Sequence, residues 1–221
     1  MPDIFDEVSE DLRAERAQRL LKQYGGLMAG AALVVLAATG AWQGWKWHQA
    51  RETAHVASTF IAALRTAELP AGPERGAAMP ELNKVAAEGD SGYRALARLR
   101  EAALQADSGN LPAALAQWDQ VATDRSADPL LRDVATLMWV TRQIDTADPA
   151  LLEGRLAPLA APDHALRALA IEAQALLALR QGRTDAARES LKRLSQDVTT
   201  PDGVRGRANG VLAQIGGAPA P

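Results

Sequence analysis

Charge is absent from one stretch near the start of the chain and spaced regularly through the rest. Residues 23–45, between Lys22 and Lys46, carry no formal charge, and residues 27–41 are apolar or small except for Thr39. At about 1.5 Å per residue, a helix of this length crosses a hydrocarbon layer of about 30 Å. Tyr24 stands at one border and Trp42, Trp45 and Trp47 at the other. Rings with one polar edge settle at headgroup depth. The pattern predicts a transmembrane helix over residues 23–47, with these four residues as interfacial anchors.

Within the span Gly26, Gly30, Leu33, Ala37, Gly40 and Gly44 recur at alternating spacings of four and three. Five of the six are small. Lipid gives no hydrophobic drive for helix association, so a seam of small residues serves close backbone approach. Gly26, Gly30, Ala37, Gly40 and Gly44 are therefore the expected packing seam against a partner helix.

Residues 1–22 form a tail with Ile4, Phe5, Val8 and Leu12 at helical spacing and Asp3 as the cap. This tail is expected to be a cytoplasmic amphipathic segment. Arg13, Arg16, Arg19 and Lys22 precede the span, against Lys46 and Arg51 after it. The excess of Lys and Arg sets the N-terminus in the cytoplasm and the rest beyond the bilayer. The acids that crowd the tail do not suit a cleaved secretory signal, which opens on a basic region.

Helical periodicity continues to about Leu69, with Ala54, Ala57, Ile61 and Leu64 on one face. Residues 48–72 are read as a helical stalk and linker, ended by Pro70, Gly72 and Pro73. A short helix is expected from near Pro80 to Gly89. After it helices are expected at 93–106, 111–123, 129–144, 149–160, 164–181, 184–196 and 202–214, separated by turns rich in Gly, Asp and Pro. Residues 216–221 read as a disordered tail.

Helix pairs of this length call for a repeat search. Gly109, Ala114, Trp118 and Val121 have the spacing of Gly182, Ala187, Leu191 and Leu194. This spacing resembles the second half of a tetratricopeptide repeat, which implies that the glycine supports a tight turn, the alanine lets two helices approach, and the large residue fills the space between repeats. A middle unit, roughly 129–162, lies between the two. Arg98, Glu101 and Gln105 fall where apolar residues belong, and a one-residue insertion in the first turn would repair this. The fold class is all-α: a single N-terminal transmembrane helix, then a tetratricopeptide-repeat-like α-solenoid over residues 73–215.

Composition narrows the chemistry. Apolar residues make up 48% of the chain and aromatics only 4%, so the core is alanine-rich and helical. A net charge of −3 leaves no basic footprint for nucleic acid. The absence of cysteine removes disulfides and thiolate metal sites. His48 and His55 lie seven apart without a third ligand, and His164 opens a helix alone. No phosphate loop, nucleophile elbow or zinc-protease helix occurs. No catalytic residue, metal ligand or cofactor site is assigned.

The segment Pro2-Asp-Ile-Phe-Asp-Glu-Val-Ser-Glu-Asp-Leu-Arg13, then Gln23-Tyr-Gly25, a glycine-rich span, a Trp-rich exit, Gly92-Tyr-Arg-Ala-Leu-Ala97 and the Gly109 and Gly182 turns resemble the YfgM-like proteins. That tetratricopeptide-repeat-like family includes the ancillary subunit of the SecYEG translocon, and its alphaproteobacterial branch looks most similar. The resemblance implies one span with the N-terminus inside and a periplasmic repeat domain at the bacterial inner membrane. It implies protein partners, the translocon and periplasmic chaperones, and supplies no catalytic residues. Two other readings stay open. One is an assembly factor for another envelope complex, in cytochrome maturation or cell division. The other is a structural membrane protein that forms a homo-oligomer through its glycine seam.

Overall fold

The computed structural model describes the backbone of residues 4–216, and side chains for Lys22, Tyr24, residues 26–28, 30–31 and 33–216. The Asp3 cap, the tail's apolar face and the terminal residues 217–221 lie outside the described part. The described residues are all helix and turn, with no strand among them. They form two units, one up to His55 and one from Val56 onward.

The described residues of the first unit are all helical. They belong to α1, Ile4–Ala67, a single helix of 64 residues. Its part beyond Gly26 contains an 18-residue window with a mean hydropathy of 1.5, long and apolar enough to cross a membrane. None of that window is buried.

The second unit begins with the end of α1, followed by α2 (Pro73–Gly76), α3 (Ala78–Glu88), α4 (Ser91–Asp107), α5 (Leu111–Thr123) and α6 (Pro129–Thr141). Next come α7 (Pro149–Leu156), α8 (Arg167–Arg180), α9 (Thr184–Gln196) and α10 (Asp202–Gly216). Several starts follow from capping. Asp90, Asp128 and Asp148 accept backbone N–H bonds from Tyr93, Leu130 and Ala150 at 2.9, 2.8 and 3.0 Å. Such bonds satisfy amides that have no partner inside the helix. Pro129 and Pro149 sit at the first helical positions, where a missing N–H costs nothing.

Three expected boundaries move. The helix expected over 149–160 stops at Leu156 and gives way to a short 3₁₀ turn, Pro158–Ala160. Pro158 has no N–H to continue the ladder. The helix expected from His164 starts at Arg167, because the His164 ring bonds the Leu166 N–H at 3.1 Å and holds a turn there. The helix expected over 129–144 ends at Thr141. One turn of helix, α2, follows the expected linker, in a stretch before Pro80 where no helix was expected.

The buried face of the last part of α1 also differs from the expected one. Ile61 is 50% exposed, and Ala54 is exposed too. Val56, Ala63 and Ala67 are buried instead, in one cluster with Ala78, Leu82, Val85, Ala97 and Leu104. Their spacing of seven and four residues is as helical as that of the expected face. The deciding contact is Phe60, whose ring meets Tyr93 edge-on at 5.9 Å. At the end of α1, Arg75 Nε and Arg100 Nη2 both donate to the Ala67 carbonyl at 3.1 Å. Cations are favoured at a helix C-terminus, where carbonyls lack partners.

Candidate protein-binding groove

The two glycine turns are built identically. Gly109 and Gly182 have φ of 88° and 75°, and are the glycines with positive φ among the described residues. Asn110 N–H bonds the Gln105 carbonyl at 2.8 Å, and Arg183 N–H bonds that of Ala178 at 2.8 Å. Gly109 and Gly182 N–H groups bond the carbonyls three residues back, at 3.1 and 2.9 Å. This is the Schellman pattern, which requires a left-handed residue. Beyond each turn Ala114 and Ala187 are fully buried, as are Trp118 and Leu191.

The correspondence extends well past the turns, at a constant offset of 73 positions (109 against 182). Arg94-Ala-Leu-Ala97 matches Arg167-Ala-Leu-Ala170 residue for residue. Asp124 accepts from Ser126 as Asp197 accepts from Thr199, through both N–H and hydroxyl. Buried Ala135 in α6 has its counterpart in buried Ala208 in α10. The duplicated unit is therefore three helices, α4–α6 and α8–α10. Sequence reading by single repeats missed it, although the repeated Arg-Ala-Leu-Ala was the available signal.

No insertion separates the copies, contrary to the expected repair of the first turn. Two of the three polar residues in the apolar register, Glu101 and Arg98, are accommodated by partners, whereas the buried Oε1 of Gln105 has none. Glu101 is buried and accepts from Gln117 at 2.6 Å, and Arg98 lies 4.0 Å from Asp124. Hydrogen bonds to Asp124 and Asp197 from Ser126 and Thr199 hold both carboxyls below the ordinary carboxylate value.

α4/α5, α6/α7 and α8/α9 form successive pairs, and the first helices α4, α6, α8 and α10 also touch in that order. A hollow of about 460 Å³ opens on this inner row, between α6, α8 and α10. Its walls are mostly apolar, with Met138, Leu169, Leu176 and Val211 among them. One ion pair enters it. Arg207 donates from Nε and Nη2 to the two carboxylate oxygens of Glu172, at 2.7 and 2.6 Å. That bidentate contact raises the Arg207 pKa further above its ordinary value. A second hollow, of about 610 Å³, lies between α8 and α9 and is as polar as it is apolar.

Charged side chains also stitch successive pairs together. Arg155 of α7 stacks on the Trp139 ring of α6 at 3.8 Å and bonds Asp119 of α5 at 2.8 Å. Arg180 of α8 donates to the carbonyls of Ile144 and Ala147 at 2.5 and 2.7 Å. His164 Nε2 contacts Asp133 of α6 at 3.0 Å. His48 is not isolated on α1 but faces Glu52 at 3.4 Å.

In the first unit Gly26, Gly30, Ala37, Gly40 and Gly44 are all exposed along α1, and a Cβ at any of the four glycines would meet nothing within 4 Å. Tyr24, Trp42, Trp45 and Trp47 are exposed as well. Tyr24 and Trp42 lie 18 positions apart, which is five full helical turns and about 27 Å. They share one side of α1, with the glycines on the opposite side. Lys46 sits over the Trp42 ring at 4.3 Å and Arg51 over Trp47 at 3.6 Å.

Stacked helix pairs with a hollowed inner row define an all-α repeat protein, an α-solenoid, on a chain whose N-terminal helix is a candidate membrane span. A family model described as "Tetratricopeptide repeat-like domain" matches residues 18–201, and the chain belongs to that family. No curated protein and no solved structure matches the chain. The family points to protein partners, and domains of this kind are typically non-catalytic.

Proposed function

We propose that the chain is a membrane-anchored periplasmic scaffold for protein–protein interaction, ancillary to the SecYEG translocon and to periplasmic chaperones. The observation that carries the scaffold reading is the apolar hollow on the inner row of helices, in a chain that also carries a helix apolar enough to span a bilayer. Solenoids bury partners along such a surface, and the anchor confines that surface to within reach of a membrane. The translocon and chaperone assignment rests on the resemblance to the YfgM-like proteins.

Residues 23–47 cross the inner membrane in this reading, with the N-terminus cytoplasmic. Tyr24 at one border and Trp42, Trp45 and Trp47 at the other sit at headgroup depth. The open glycine side of α1, at Gly26, Gly30, Gly40 and Gly44, packs against a partner's membrane helix. Gly109, Ala114, Trp118, Gly182, Ala187 and Leu191 set the spacing of the repeats rather than touching partners.

The test is affinity purification of the full chain from gently solubilised membranes, with mass spectrometry of copurifying proteins. Translocon subunits and periplasmic chaperones are the expected set. Recovery of a different envelope complex would replace them with an assembly-factor role. Native mass measurement showing only a dimer of the chain would make the glycine side a self-association surface.

A further inference from the structure

The internal duplication supplies a control for one feature of the groove. At the 73-position offset, Glu172 and Arg207 correspond to Leu99 and Val134 in the first copy. The same architecture therefore accepts two apolar residues at this place. The second copy holds a charged pair instead, with Glu172 buried at 11% side-chain exposure. Sinking charges costs desolvation that a well-packed apolar pair avoids, so such a pair is weak evidence for stability. Its position, on the wall of the apolar hollow, gives it another use.

Arg207 spends Nε and one Nη2 hydrogen on Glu172. A guanidinium has five N–H donors, so three remain. Its side chain is 56% exposed and lines the hollow. The pair carries no net charge, so it offers hydrogen bonds without an electrostatic preference for an anion. A ligand carboxylate would meet Glu172 as well as Arg207. The rest of the hollow suits apolar side chains. Met138, 40% exposed, is flexible and adapts to different shapes. Gly210 leaves backbone open on the α10 wall, with nothing within 4 Å of an added Cβ.

We propose that this groove binds an extended, uncharged apolar polypeptide segment, and that Arg207, held upright by Glu172, donates to a main-chain carbonyl of that segment. An extended segment has carbonyls free to accept, whereas those inside a folded helix are already paired. The proposal rests on the scaffold reading above and specifies what its groove takes.

The probe is a short capped peptide of Leu, Val and Ala carrying one benzophenone, photolysed with the full-length chain in lipid nanodiscs. Empty discs are the blank. Adducts are expected on α6, α8 or α10, Met138 foremost. The variant carrying Glu172→Leu together with Arg207→Val installs the first copy's pair, so it retains the melting temperature but loses labelling about tenfold, the effect of one hydrogen bond to a charged donor. Arg207→Lys keeps the charge but not the fork, and falls between. Unchanged labelling in the double variant overturns the proposal, as do adducts outside the groove or none at all. Tighter capture of a matching peptide with a central Asp also overturns it, by making Arg207 an anion site. Copurification of partners from membranes would survive all of these failures, so the scaffold reading is judged separately.

Discussion

The ring of Phe60 meets that of Tyr93 edge-on, with centroids 5.9 Å apart and planes at 73°. This contact ties the last turns of α1 to α4, and Val56, Ala63 and Ala67 complete the same buried cluster. Residues 56–67 are thus core as well as connection. A fragment beginning at Pro73 would expose Leu82, Val85 and Leu104, and is expected to melt lower and aggregate more than one beginning at Val56. Phe60→Ala should cost about 2 kcal/mol, below the range for a fully buried ring because Phe60 is only partly buried. Denaturant unfolding of the two fragments and the variant checks both statements.

Glycine substitutions separate turn geometry from helix propensity. Gly109 and Gly182 sit at positive φ, so Gly109→Ala or Gly182→Ala should each destabilise by about 1 to 2 kcal/mol. Gly206 lies inside α10 with nothing near an added Cβ. Gly206→Ala should therefore stabilise, by up to about 1 kcal/mol. Opposite shifts in melting temperature are the expected signature.

Acid should loosen the two Asx turns together. Asp124 and Asp197 have folded pKa values below the ordinary aspartate value of about 3.8, first through the side-chain hydrogen bonds of Ser126 and Thr199. A depressed folded pKa means stability that is fully present above the unfolded value and lost as pH falls through the folded one. The melting temperature should therefore fall with pH below about 3.8, and Asp124→Asn with Asp197→Asn should flatten that slope. Both turns are solvent-exposed, so the change is a modest one. An unchanged slope in the double variant would remove these carboxylates from the account.

Much of this fold was legible from periodicity and turn residues. Helices α5 and α9 fall at 111–123 and 184–196, because Gly109 and Gly182 mark their starts. The starts at Pro129 and Pro149 were legible for the same kind of local reason. What was not legible depends on contacts between distant residues. The face of α1 turned inward was decided by Tyr93, 33 positions beyond Phe60. The Glu172–Arg207 pair spans 35 positions, and nothing local in either helix predicts it. None of the residues lining the groove could be named before α6, α8 and α10 were seen side by side.

Topology is the step on which the periplasmic reading depends, and the chain is well suited to a direct test. It has no cysteine, so single cysteines can be placed without removing native ones. Gln18→Cys lies before the uncharged stretch, and Ala54→Cys lies after it in an exposed position of α1. The proposed orientation follows from four Lys and Arg residues before the span against two after it. A membrane-impermeant maleimide applied to cells with an opened outer membrane should label the Ala54→Cys protein and spare the Gln18→Cys protein. Disrupting the inner membrane should make both react. The reverse pattern would place the repeats in the cytoplasm and rule out a periplasmic client. Labelling of both in intact spheroplasts, with the chain recovered in the soluble fraction, would mean that residues 23–47 do not cross a bilayer at all.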